Sequence, residues 1–339
     1  MCVGKIVART GVCALLAALV LGTGTDAVKG ADEPIEVKVA LLLPRTPELA
    51  VAAGKINQRL NELTNNGVKV RIYWGGAAGD DKNVLRKMRT GQIDGAPLPL
   101  EIVSNFVRQA LVLQSPALFT NYKQVDAVRA ALTPIMDKEA YENGFKVMAW
   151  GDIGRLRIMS TKPLSRIADF KTLRPWLYPE SDTLKEFYKI IGATGVPLDI
   201  AEVYSSLQTN MVDTVWGSAL LAAALQWHTA TKYISEQGLG FISGAFVFRR
   251  GLWEGMPENV KNAMITIADE ARQKNQIELR KSDERAYLKL VERGHKPLRP
   301  ANEQEWWDTG HALRRRMIGR VYTKELVEQA EQIAEKFKD

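Results

Sequence analysis

The side chains of this 339-residue sequence that could do chemistry are few, and they point to binding rather than to bond-making. Arg155 and Arg157 stand two residues apart in a strand-like stretch, so their guanidiniums share one face. A planar guanidinium can meet a carboxylate through two parallel charge-assisted hydrogen bonds; the same spacing also suits a solvated pair. Around them the sequence holds 8 tryptophans, large apolar faces suited to the wall of a small-molecule pocket. Hydrolytic chemistry has less to build on. The 3 histidines, His228, His295 and His311, have no GxSxG neighbour, and neither an HExxH pair nor an EF-hand loop is present. Asp80-Asp81 could attract a cation, but capping a helix is the plainer role. Gly75 to Gly79 has the glycine content of a phosphate loop without the Lys-Ser/Thr that should follow. These absences argue against an enzyme, a resident metal and a cofactor.

Both cysteines, Cys2 and Cys13, fall near the N-terminus, where Lys5 and Arg9 precede the apolar run Gly11 to Gly22. A basic segment followed by a short apolar one has the form of a secretory leader, and the run is shorter than the roughly 20 apolar residues of a membrane span. Residues 1–30 therefore read as a signal peptide cleaved near Ala27 or Gly30, which places the mature chain outside the cytoplasm without cysteine, disulfide or thiolate site. The formal charge of +7 comes from 46 basic and 39 acidic residues; without Lys5, Arg9, Lys29 and Asp26 it is a mild +5. Beyond Arg314 to Arg316 there is no basic run, so nucleic acid is not an expected partner.

The positioning elements alternate. Glu36 to Leu43 reads as a β-branched strand, Glu48 to Leu63 as a helix and Val68 to Trp74 as a second strand. That order implies a parallel sheet with flanking helices, where ligands bind beyond the carboxyl ends of strands; Trp74 and Leu98 become pocket candidates on that ground. Ser104 to Phe119 and Tyr122 to Tyr141 read as helical, with breaks at Pro116 and Pro134. Lys146 to Trp150 leads through Gly151 to Gly154 into Arg155 to Ser160, a glycine-bracketed joint where the chain can cross between lobes. A charged helix from Pro257 to about Arg293 would be about 50 Å long, enough to brace both lobes, unless it breaks near Gln273 to Gln276.

One construction occurs twice. In Gly195 to Ala219, Asp199 can cap a helix with apolar Ile200, Val203, Tyr204 and Leu207, Asn210 can close it in the left-handed conformation, and Met211 to Trp216 resumes as a strand. In Gly76 to Pro97, Asp80 or Asp81 caps, Gly91 closes, and Gln92 to Ala96 matches Met211 to Val215 in register. Two copies of one helix–cap–strand unit suggest two lobes of like architecture.

The segment EVYSSLQTNMVD (202–213) resembles the EVYxALQTGxVDG signature of solute receptors of tripartite ATP-independent periplasmic (TRAP) transporters. Asp169 to Tyr178 resembles the DLKGLKIRVP segment of their dicarboxylate-receptor (DctP) branch, and GDDKNVLRKMRTGQIDGA its first-lobe counterpart. The resemblance runs from about Val37 to Trp307. It implies a two-lobe α/β periplasmic binding protein fold, each lobe a mixed, mostly parallel sheet with flanking helices, hinged and braced by the long helix. The implied division is 31–153 plus 242–282 for lobe I, 154–241 plus 283–312 for lobe II, and a C-terminal helical segment 313–339. In that branch an arginine of the KIRVP segment pairs with the ligand carboxylate; here Trp176 takes its place. Gly217 stands where the branch has a ligand-contacting asparagine. Both departures trade ion-pairing for aromatic or small groups, which marks a divergent branch. The expected pocket accordingly comprises Trp74, Leu98, Trp150, Arg155, Arg157, Trp176, Tyr178, Trp216 and Gly217, with Trp227 a core residue. The expected function is a TRAP receptor closing on a small organic ligand with an apolar or aromatic body. Alternatives are a carboxylate receptor using Arg155 or Arg157, and a periplasmic carrier serving a protein partner without a permease. The partners implied are the ligand, the small and large TRAP membrane subunits and a periplasmic accessory protein.

Overall fold

A computed structural model describes residues 33–338; the leader and both cysteines lie outside them. In chain order the strands are β1 (Ile35–Ala40), β2 (Val68–Tyr73), β3 (Gly95–Pro99), β4 (Phe145–Arg155), β5 (Arg157–Ser160), β6 (Trp176–Leu177), β7 (Val196–Pro197), β8 (Thr214–Gly217), β9 (Tyr233–Ser235), β10 (Phe241–Arg249) and β11 (Lys296–Leu298). The helices are α1 (Pro47–Thr64), α2 (Asp81–Arg89), α3 (Leu100–Val103), α4 (Tyr122–Glu142), α5 (Asp182–Ile191), α6 (Val203–Gln208), α7 (Ala219–Ala224), α8 (Arg250–Gly255), α9 (Glu258–Glu292), α10 (Glu303–Met317) and α11 (Lys324–Glu335). One sheet runs β2-β1-β3-β10-β4 and a second β11-β9-β5-β8, with the short pair β6-β7 beside it. The β1–β2 and β1–β3 pairs are parallel, while β10 is antiparallel to both of its neighbours. Among the described residues no helix is long and apolar enough to cross a membrane.

The chain passes from the first sheet to the second at Leu156, between β4 and β5. It returns through Leu239 and Gly240, and the two passages are tied together, Leu156 donating to the Gly240 carbonyl and Leu239 to that of Leu156. The glycine-bracketed joint is therefore not the crossing itself. β4 continues through Gly151 and Gly154, because β10 pairs with it from Phe145 as far as Arg155.

The third connection is α9, an uninterrupted 35-residue helix. It packs on α1 and β4 at one sheet and on α7 at the other. A polar stripe of α9 is matched to the crossing strand. The Gln276 amide accepts from Asp152 N–H (3.2 Å) and donates to its carbonyl (3.0 Å), filling a rung that edge strand β4 would leave open. Arg280 donates through Nε to the buried Asp152 carboxylate (3.0 Å) and through Nη1 to Asp126 (2.8 Å). Burial alone would pull the Arg280 guanidinium down; its bonds to Asp126 and Asp152 outweigh this and hold it above the usual arginine range. Asp283, 1% exposed, accepts from Arg155 N–H and from Leu220 N–H, both at 3.0 Å. Tyr287 lies under the Arg157 guanidinium, 4.0 Å from ring centroid to Cζ. Gly154 admits this approach: its φ is +125°, and a Cβ there would stand 2.3 Å from the Asp283 carboxyl carbon.

Three local expectations need correction. Residues 104–119 form no α-helix but turns and a short 3-10 segment, Arg108–Gln114, ended by Pro116 and by Ala117 at φ +53°. Pro134 does not break α4. The helix keeps Val128, Leu132 and Met136 in the core on either side of it, and this packing outweighs the missing N–H. The boundary placed between 312 and 313 falls inside α10, whose Leu313 and Met317 are both buried.

Candidate functional site: a cavity between the two sheets

A cavity of about 910 Å³ opens between the two sheets. The first-sheet side supplies Glu101, Gln114, Phe119, Tyr122 and Phe241; the second supplies Trp176, Tyr178, Phe187 and Trp216; and α9 and α10 supply Arg280, Trp306 and Trp307. Much of the apolar wall is aromatic, and several of the aromatic groups are held by one another. Trp216 stacks on Phe170 (5.6 Å, 6°) and meets Phe187 edge-on (5.5 Å, 88°). Its indole N–H donates to the Tyr188 hydroxyl (2.8 Å), which donates in turn to the Trp176 carbonyl (2.6 Å). The Trp176 indole N–H donates to the Leu198 carbonyl (2.8 Å). Trp176 and Trp216 thus have their polar edges satisfied within the wall and are left to offer carbon to the cavity.

Four cations line the cavity, and they differ in what already holds them. Arg280 is bonded to Asp126 and Asp152, and Lys281 is paired with Glu278. Arg157 is 2% exposed; its terminal nitrogens bond the Ser235 and Glu236 carbonyls and Glu284. The half-buried Arg155 packs against the contacting rings of Tyr122 and Phe241, 5.3 and 5.4 Å from their centroids. Among the described residues it has no ion-pair partner. Cation–π contacts hold it in place without neutralising it.

The remaining expected site residues stand apart from this cavity. Leu98 is 2% exposed in the core of the first sheet, because alternation along β3 turns it inward. Trp150 is buried with its N–H on Asp137 of α4 (2.7 Å). Trp74 follows the end of β2, outside the cavity lining. At Gly217 a Cβ would meet Trp227 at 3.0 Å and Met159 at 3.6 Å. Trp227 is fully buried against Trp176, so the space a side chain at 217 would enter is occupied by core. Conversely, Phe187, Trp306, Trp307 and Tyr122 line the cavity without having been singled out. The adjacent tryptophans after Pro300 were the one sequence signal for them.

Where the two sides touch, the Tyr178 hydroxyl donates to Asp81 of α2 (3.3 Å), and Lys82 pairs with Glu180 (3.0 Å). Burial pushes the Asp81 carboxyl up to about 7, against the Tyr178 bond and helped by Glu101, Asp80 and Asp199.

The profile of bacterial extracellular solute-binding protein family 7, DctP, matches residues 42–320. The chain belongs to this family. It is a TRAP-type solute-binding receptor, and the family is one of periplasmic receptors working with TRAP membrane permeases, not of enzymes. It is 25% identical to the C4-dicarboxylate-binding periplasmic protein DctP of Vibrio cholerae over 264 residues, 76% of this chain and 78% of that one. It is 23% identical to the 2,3-diketo-L-gulonate-binding periplasmic protein YiaO of Escherichia coli, over 67% of this chain and 70% of that one. The fold matches the sugar acid binding protein of Advenella mimigardefordensis in complex with galactonate, with a TM-score of 0.83, 16% identity and coverage of 90% and 99%. It also matches a TRAP solute-binding protein of Sulfurospirillum deleyianum with bound succinate, with a TM-score of 0.79, 18% identity and coverage of 89% and 99%.

Proposed function

We propose that this receptor takes an organic carboxylate with an apolar or aromatic body, its carboxylate on Arg155 and its body against Trp176 and Trp216. One observation carries the reading: of the cations lining the cavity, Arg155 is the one without an acidic partner among the described residues, and it is flanked by aromatic walls. A ligand carboxylate would supply the missing charge, and a bidentate contact would fix its orientation. Arg157 is the weaker candidate, since its terminal nitrogens are taken. A short dicarboxylate such as succinate would satisfy Arg155 with one end, but its second carboxylate would face Trp176 rather than an arginine, and burying it unpaired is costly.

Calorimetry on the purified protein tests this. 3-Phenylpropanoate should bind more tightly than succinate, and Arg155→Gln should weaken it by about 2–5 kcal/mol, at least thirtyfold. Tight succinate binding indifferent to Arg155→Gln would refute it. The proposed division is 31–153 plus 242–282 for one lobe and 154–241 plus 283–312 for the other, except that β4 runs on to Arg155 and β10 begins at Phe241, which puts Gly154, Arg155 and Phe241 with the first sheet, and α9 spans both lobes. Closure of these lobes on the ligand should appear as compaction in small-angle scattering. Residues 1–30 act as a cleaved leader in this reading, and the intact mass of periplasmic protein should begin near Val28 or Ala31. A periplasmic accessory protein is the remaining proposed partner, to be sought by crosslinking in the periplasm.

A further inference from the structure

The cavity has a second polar corner, which the carboxylate reading leaves unused. Glu101 of α3 lines it, as do Gln114 and Tyr178. The Gln114 amide fits with its NH2 toward the Glu101 carboxylate (3.2 Å) and its oxygen accepting from Ser243 N–H (3.1 Å). The Tyr178 proton is spent on Asp81. The donors native to this corner are therefore engaged within it, while Glu101 and the Tyr178 oxygen keep lone pairs on the cavity side. Among the described residues neither Glu101 nor Asp81 has a lysine or arginine partner; Lys82, the cation next to Asp81, is held by Glu180. The charged groups that act most strongly on Asp81, namely Glu101, Asp80 and Asp199, are acidic. An independent sign of an absent partner is Ser243, 3% exposed, whose hydroxyl has none. Ser243 does not itself line the cavity; it adjoins the corner through its N–H, which meets the Gln114 oxygen.

Buried carboxyls of this kind are ordinarily neutralised by a cation or by a proton. We infer that the ligand brings the cation: it is a zwitterion, an amino acid or a close analogue with an apolar or aromatic side chain, its ammonium set at Glu101 and Tyr178 and its carboxylate at Arg155. The inference rests on the carboxylate reading above and adds the ammonium. Without ligand, burial disfavours the ionised form of Glu101 and raises the neighbouring Asp81 carboxyl to about 7. Seating an ammonium there favours the ionised acids, so binding should release protons to solvent at pH 7.

The test is calorimetry of the wild-type protein with three probes of one body: L-phenylalanine, L-3-phenyllactate and 3-phenylpropanoate, repeated with L-tryptophan and indole-3-propanoate. The amino acids should bind at least tenfold more tightly than the acids without the amine, and more tightly than phenyllactate. Titrations in buffers of different ionisation heat should show more proton release with phenylalanine than with 3-phenylpropanoate. In Glu101→Gln the ratio of the 3-phenylpropanoate to the phenylalanine dissociation constant should fall toward one. Phenyllactate or 3-phenylpropanoate binding as tightly as phenylalanine, or equal proton release with both, would overturn the ammonium. If 3-phenylpropanoate binds in an Arg155-dependent way while the amine adds nothing, this inference alone fails. If no probe binds, it fails together with the reading beneath it.

Discussion

The helix–cap–strand unit from Asp80 to Leu98 and that from Asp199 to Gly217 match bond for bond over most of their length and then part. In the first, Gly91 N–H reaches the Met88 carbonyl, and Gln92 and Ile93 N–H both reach that of Lys87. In the second, Asn210 reaches Leu207, and Met211 and Val212 both reach Ser206. Asp94 then gives its N–H to the Lys38 carbonyl and takes Lys38 N–H on its carboxylate (2.8 Å). Asp213 does the same with Arg174 (2.8 Å). Each aspartate carbonyl accepts from the strand on its other side, at Arg249 and at Thr161, and each carboxylate holds a cation, Arg249 or Lys162. Two of their differences bear on the cavity. Asp81 corresponds to Ile200, and Pro97-Leu98 corresponds to Trp216-Gly217. Both Ile200 and Trp216 line the cavity; of the first-unit residues, Pro97 is exposed, Leu98 is core, and Asp81 bonds the lining Tyr178. The joint is built from the shared positions, and the cavity wall is reached at positions that differ.

The most severe way to break this equivalence is to remove its aspartates. Asp94→Ala and Asp213→Ala each leave backbone N–H groups and a cation without the buried carboxylate, and each should cost about 3–5 kcal/mol in urea unfolding. Asp213→Ala should also weaken ligand binding, since Arg174 leads directly into Trp176 and β8 carries Trp216. A loss confined to one of the two variants would show that the units are alike in form only.

The Asp81/Ile200 difference has a pH signature. A carboxyl raised to about 7 in the fold is protonated there at pH values where the unfolded chain, near 4, has already ionised. Its contribution to stability is complete below about pH 4 and is lost as pH rises through about 7, by roughly 4 kcal/mol. Asp81→Asn should flatten this part of the pH–stability curve; an unchanged slope would place the titration elsewhere.

At the diverging end, Trp216→Leu should weaken an aromatic acid about tenfold through lost apolar contact, while Pro97→Ala, at the equivalent position, should leave the affinity within twofold. Competition binding with 3-phenylpropanoate reads both. The smallest effect concerns the left-handed closures, Gly91 at φ +75° and Asn210 at φ +57°. Gly91→Ala should cost about 1 kcal/mol, since a Cβ there meets only the Arg249 guanidinium at 3.9 Å and the strain is conformational. Asn210→Gly should be neutral or slightly stabilising in thermal melts.

What the sequence disclosed follows from the same division. Asp80, Gly91 and Asn210 are residue types demanded by local backbone geometry, so they could be read without a partner in view, whereas Asp94 and Asp213, whose partners are distant in the chain, were legible only as matching positions of the repeated unit. Leu98 and Trp150 could not be placed that way, because which face of a strand meets a cavity depends on the strands and helices that pack against it from elsewhere in the chain. Leu98 is turned inward against elements of its own sheet, and Trp150 is turned toward Asp137 of α4. Trp306 and Trp307 were missed for the complementary reason: they arrive on α10, far along the chain from the strands that frame the cavity. The unbroken α4 shows tertiary packing overriding a local signal at Pro134.

The stripe Gln276, Arg280, Asp283 and Tyr287 on α9 meets Asp152, Arg155 and Arg157 in order. Such a pairing works as a key cut to a fixed pitch. A residue inserted or deleted between 152 and 157, or between 276 and 287, would turn the following groups to the wrong side and misalign every later tooth at once. Point substitutions there spoil one tooth; changes of length spoil the key. Length variation in this protein should therefore be tolerated in the loops that end α1 or precede α10 and refused in these two spans, whatever residues fill them.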